Sequence, residues 1–141
     1  MIATPAPSYT VKDACDDYLA WFRDNRKSVE ATEATVNAHI LPAFLNRTVA
    51  SLTGEDIKLW LDKLAWSHAR KRTRKGKAQM HKTQPENLTD EQRDETKRAR
   101  RATANRIMAV LKAILNKAFE DGKARDDSEW RRVRPFPKGL P

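Results

Sequence analysis

Three observations predict an all-α fold, a four-helix bundle with a basic insertion between the third and fourth helices. Apolar residues recur at i, i+3, i+4 and i+7 in separate stretches, the period of a helix that buries one face. No stretch alternates with the period of two that a half-buried strand requires. Three of the stretches open on a hydroxyl residue followed three positions later by Asp or Gln: Thr10 and Asp13, Thr53 and Asp56, Thr89 and Gln92. That spacing lets each side chain bond the other residue's free backbone N–H at a helix start.

Residues 1–8 (MIATPAPS) carry two prolines and no periodicity, and read as a flexible lead-in. The first helix is expected over about 11–26, its stripe being Val11, Ala14, Cys15, Tyr18, Leu19 and Phe22. A second is expected from Ser28 or Val29 to Leu41, with Val29, Val36 and Ile40 inward and Pro42 discouraging continuation. Residues 42–52 form an irregular connection delivering Phe44, Leu45, Val49 and Leu52 to the core, and a third helix spans about 54–66 through Ile57, Trp60, Leu61 and Leu64. Periodicity then stops. Residues 67–89 are the basic insertion, with six of the eight positions from Arg70 to Lys77 cationic.

The fourth helix is expected over about 90–121, since neither Gly nor Pro occurs before Gly122, which stands where a helix C-cap glycine belongs. Its stripe is Ile107, Val110, Leu111, Ile114, Leu115, Ala118 and Phe119, and in the tail Trp130 and Val133 can dock. The organisation is therefore one domain over 9–130, with 131–141 leaving it as an extended exit containing Pro135 and Pro137.

Charge points to the partner. The chain of 141 residues carries a net +9, and the excess lies in the C-terminal half: residues 1–66 have 7 Lys/Arg against 9 Asp/Glu, residues 67–101 have 12 against 5, and residues 102–141 have 9 against 5. A neutral front and a basic back suit one face directed at a polyanion. No apolar run is long enough to span a membrane, and the N-terminus lacks the basic and apolar regions of a signal peptide. The single cysteine, Cys15, fits a reducing cytosol and is read as core.

No Ser/Cys–His–Asp set, phosphate-binding glycine loop or metal-ligand spacing can be assembled, so neither catalysis nor a metal or other cofactor is expected. Asp13, Asp16 and Asp17 sit in the first turns of a helix, where carboxylates favour the helix dipole.

Two features carry binding chemistry. Arg70, Lys71, Arg72, Arg74, Lys75 and Lys77 repel one another unless a phosphate backbone relieves them, releasing counterions as it does so. On the fourth helix, Arg98, Arg101, Asn105, Lys112 and Asn116 form a row opposite the apolar stripe, with small Ala109 between them. Arg and Lys can meet phosphates or guanine edges, and Asn can pair with adenine.

At this point the chain resembles the tyrosine recombinase, or phage integrase, family. YTVKDACDDYLAWF is similar to the opening helix of that family's SAM-like core-binding domain, HILPAFLNRTVASLTGEDIKLWLDKL to its second and third helices, and TANRIMAVLKAILNKAFEDGKA to its fourth. The likeness covers about residues 9–134, with Asn46 standing where Gly is common and Asp126-Asp127 where Asn-Pro is common. It implies one half of a clamp around a duplex recombination site, within a parent recombinase that acts as a tetramer on DNA in a bacterial or phage-infected cytoplasm. The second helix would then present Ser28, Thr32, Thr35 and His39 to the major groove, and the linker residues Arg131, Arg132 and Arg134 would meet phosphates. The family's catalytic arginines, lysine, HxxR-type motif and late tyrosine have no counterparts here, so 131–141 is expected to begin a linker to a catalytic domain not in this sequence. Two other readings stay open: a basic helical module for RNA or regulation, and a protein-interaction bundle whose charge is incidental.

Overall fold

The computed structural model describes residues 9–25, 29–66 and 89–137, and among these every regular element is a helix. The lead-in 1–8, Ser28, the cationic stretch Arg70, Lys71, Arg72, Arg74, Lys75 and Lys77, and the end of the tail lie outside the described residues.

Helix α1 is Val11–Asn25, and its start is doubly held. The Thr10 and Asp13 side chains bond each other's backbone N–H, at 3.1 and 3.0 Å. The Val11 N–H, a first-turn donor without an intrahelical acceptor, reaches the Arg47 carbonyl, while Val49 N–H bonds the Tyr9 carbonyl, both at 2.9 Å. That isolated bridge ties the chain ahead of α1 to the connection that follows the second helix.

The second helix differs from expectation. It comprises α2 (Glu30–Thr35), a π-helical stretch (Val36–Ile40) and α3 (Leu41–Phe44), so it runs through Pro42 instead of stopping at it. The π stretch supplies the reason. Leu41 N–H bonds Val36 O, five residues back, and the α pattern resumes with Leu45 N–H to Leu41 O at 2.9 Å. The widened turn shifts the preceding carbonyls away from the proline ring, and Pro42, early in α3, has no N–H to satisfy.

A short 3₁₀ turn (Val49–Ser51) leads to α4, Gly54–Trp66, capped by the expected pair Thr53 and Asp56 at 3.2 and 3.1 Å. Arg47 binds both Asp56 (2.6 Å) and the Ser51 carbonyl (2.9 Å), locking the connection against that cap.

Helix α5, Asp90–Glu120, opens on a reciprocal Thr89–Gln92 cap. It closes on Gly122, whose φ of 78° only glycine adopts without strain. Gly122 N–H bonds Phe119 O at 3.1 Å and Lys123 N–H bonds Ala118 O at 2.8 Å, which satisfies the last carbonyls. The turn reverses the chain into α6, Ser128–Arg131.

One core joins these elements. It contains Val11, Ala14, Cys15 and Leu19 from α1, Val36 and Ile40 from the π stretch, Phe44, Val49 and Leu52, then Ile57, Trp60 and Leu61 from α4. Helix α5 adds Ala104, Ile107, Met108, Leu111, Ile114, Leu115 and Ala118, and the tail adds Trp130 and Val133. Tyr18, Val29, Leu64 and Val110 pack at its edge. Leu45 and Phe119 depart from expectation, being 42% and 39% exposed, and so does Phe22, which is half-buried beside Tyr18 and Trp21 outside the core. The continued helix turns Leu45 outward, and Phe119 lies off the face that α5 buries.

The pair α4 and α5 makes the most extensive helix contact, and α6 packs against both. Gly54 permits that approach, since a Cβ there would stand 2.9 Å from the Glu129 carbonyl oxygen. Glu129 in turn accepts the Gly54 N–H at 2.9 Å, placing a carboxylate on the N-terminus of α4.

Candidate nucleic-acid interface

The polar row on α5 faces the returning tail. Asn105 bonds the Phe136 backbone twice, Nδ2–H to its carbonyl at 2.9 Å and Oδ1 from its N–H at 2.8 Å. Lys112 Nζ donates to the Val133 carbonyl, and desolvation in that contact lowers the pKa of the amine. Asn116 Oδ1 accepts the indole N–H of buried Trp130 at 2.7 Å. The Arg101 guanidinium stands 5.4 Å from the centre of the Phe136 ring. Thus Asn105, Lys112 and Asn116, expected to read bases, serve a tail whose backbone groups and indole N–H need partners once Trp130 and Val133 are buried. Arg98 remains exposed on α5, as does Ala109.

The other expected contacts are dispersed. Thr32, Thr35 and His39 are half-buried along the second helix; Thr35 Oγ1 donates to the Ala31 carbonyl at 3.1 Å, and the His39 carbonyl accepts the Trp60 indole N–H at 3.1 Å. Arg131, Arg132 and Arg134 are exposed in the tail, Arg131 lying 3.7 Å from Asp127.

An arrangement that the sequence reading missed lies where α4, α5 and the tail meet. An open groove of about 450 Å³ is lined by Asp62, Ala65 and Trp66 of α4, Arg93, Lys97, Arg100 and Arg101 of α5, and Phe136. Trp66 is 73% exposed at the last position of α4, and its carbonyl accepts Arg100 Nη1–H at 3.3 Å. Four cations thus face one carboxylate around two aromatic rings. Only Arg101 of this set belonged to the expected row, because the groove draws its walls from three separate parts of the chain.

Along α5 the charge is also segregated. Between Glu95 and Glu120 stand Lys97, Arg98, Arg100, Arg101, Arg106, Lys112 and Lys117, and no Asp or Glu. No residue of α5 before Ala104 is buried, so its first turns offer their side chains to solvent. The visible signal for this surface was that carboxylate-free run together with Trp66, an aromatic residue off the apolar stripe of α4.

Comparison with protein-family models, with curated proteins and with solved structures finds no match to this chain. Function therefore rests on the chemistry of the surface.

That chemistry contains no activated nucleophile among the groups whose ionisation is shifted. Burial pushes the Cys15 thiol up to about 12. Burial, and then the hydrogen bond to Asp17 at 2.6 Å, push the Tyr9 phenol upward, which opposes phenolate formation. Among the described residues no cluster of three or more His, Cys, Asp or Glu could hold a metal ion, and no helix is long and apolar enough to cross a membrane.

Proposed function

We infer that this chain is a DNA-binding module of the core-binding type found in tyrosine recombinases, a four-helix SAM-like bundle that grips one side of a duplex recombination site. One observation carries the reading: the carboxylate-free cationic run of α5, which lines the groove beside α4 and lies in a chain whose tail exposes Arg131, Arg132 and Arg134. Such a surface binds phosphate backbones through counterion release and needs no particular sequence to do so.

In this reading the contacts belong to Arg93, Lys97, Arg98, Arg100 and the tail arginines. Arg101 adds charge at the groove edge. Asn105, Lys112 and Asn116 act one step behind them, by holding the tail in place. The chain itself grips DNA, and strand cleavage belongs to a catalytic partner domain of the parent recombinase.

Fluorescence anisotropy with a labelled duplex tests it across a salt series. An isolated half-clamp lacks the avidity of its partner, so binding is weak and salt-dependent. Neutralising about seven phosphates gives a log K against log salt slope of about −6. Structured RNA outcompeting duplex DNA would move the module to RNA, and no binding at about 50 mM salt would favour a protein partner.

A further inference from the structure

We propose that the groove between Trp66 and Phe136 takes an unpaired nucleobase, stacked on the Trp66 indole with its flanking phosphates on the cations of α5. The inference rests on the nucleic-acid reading above and names a ligand class that duplex gripping does not require.

The four tryptophans are treated differently by the fold. Trp60 and Trp130 are buried, with their indole N–H groups bonded inside, and Trp21 is half-buried with Lys117 Nζ 5.4 Å from its ring centre. Trp66 alone among them is 73% exposed, and it borders a cationic groove. An indole that stays in water gains little from folding, so core packing does not account for Trp66 at this position.

The other aromatic residue of the groove, Phe136, is held in place. Asn105 fixes the Phe136 backbone through both its polar groups, and Lys58 and Arg101 stand 5.2 and 5.4 Å from the centre of its ring. A volume of about 450 Å³ falls in the range of small-ligand sites, about 300–1,000 Å³. Phosphates alone would need only the cations. Aromatic walls beside guanidinium and ammonium groups suit a base with its phosphates, since every base presents a π-face and the backbone supplies the charge.

The test measures binding of the full chain to a single-stranded dT12 oligonucleotide and to a fully paired 12-base-pair duplex, by anisotropy and by tryptophan emission. Trp66→Ala is expected to weaken dT12 binding about 5- to 150-fold, the range seen when a base-stacking aromatic is removed, while duplex affinity stays within about twofold. Trp66→Phe should restore much of the dT12 affinity, and dT12 should quench the emission of the unmodified chain more than that of Trp66→Phe. An unchanged melting temperature shows that both variants fold. Equal losses for dT12 and duplex, or no loss for either, overturn the proposal, as does a poly-glutamate peptide displacing dT12 at matched charge. Trp66-dependent dT12 binding without any duplex binding would uphold this inference while sinking duplex recognition.

Discussion

The side-chain amide of Asn105 holds the Phe136 backbone at both of its polar groups, 31 positions along the chain. An amide is the natural residue for this, because it offers a donor and an acceptor side by side. The contact turns a polar position on α5 into a clamp for the tail.

Removing the clamp should loosen the tail before it affects any base preference. Asn105→Ala leaves both Phe136 groups without a partner and should cost about 1–3 kcal/mol in urea unfolding. Amide exchange at Phe136 should rise more than exchange in the α5 core. An unchanged exchange rate would mean that the tail is held elsewhere.

Lys112→Ala and Asn116→Ala should behave in the same way, since their partners are the Val133 carbonyl and the Trp130 indole. Each should lower stability by about 1–3 kcal/mol and leave discrimination among duplex sequences unaltered. A sequence-selective loss of binding with normal stability would return these residues to base reading.

Gly54→Ala should destabilise, although Ala is the better helix former by about 1 kcal/mol. The added Cβ would meet the Glu129 carbonyl oxygen at 2.9 Å, and backbone cannot step aside as a side chain can. A net loss of about 1–2 kcal/mol is expected, and a gain in melting temperature would show that α6 shifts freely.

Core substitutions should separate two leucines of similar sequence context. Leu111 is fully buried, so Leu111→Ala should cost about 2–5 kcal/mol. Leu45, 42% exposed, should cost about 0.5 kcal/mol or less when changed to Ser. Chemical denaturation measures both.

Acid should weaken the connection at Asp56. The Arg47 side chain, followed by the Thr53 cap, holds this carboxyl below its ordinary value. Its unfolded pKa is about 3.9, so the stabilisation is fully present above that pH and is lost as pH falls through the lower folded value. The stability gap between the unmodified chain and Asp56→Asn should be constant from about pH 5 to 8 and shrink below about pH 4. A gap independent of pH would remove the ionic part of the contact.

Several features of this protein were written locally in its sequence. The pairs Thr10 and Asp13, Thr53 and Asp56, and Thr89 and Gln92 cap their helices as spaced, and Gly122 ends α5 in the left-handed conformation. These signals act within a turn or two of one element, where spacing alone sets geometry. The apolar stripes were legible for the same reason, apart from Phe22, Leu45 and Phe119. Pro42 misled because relief came from a π turn, which has no composition of its own to read. The use of the polar α5 row, and the groove at Trp66, were decided only when the chain returned. Asn105, Lys112 and Asn116 look like any exposed helix face until Gly122 reverses the backbone and buries Trp130 and Val133 beside them. Periodicity reports that a face is polar. Whether solvent or distant backbone meets it depends on contacts between residues far apart in the chain, and those exist only in the folded state.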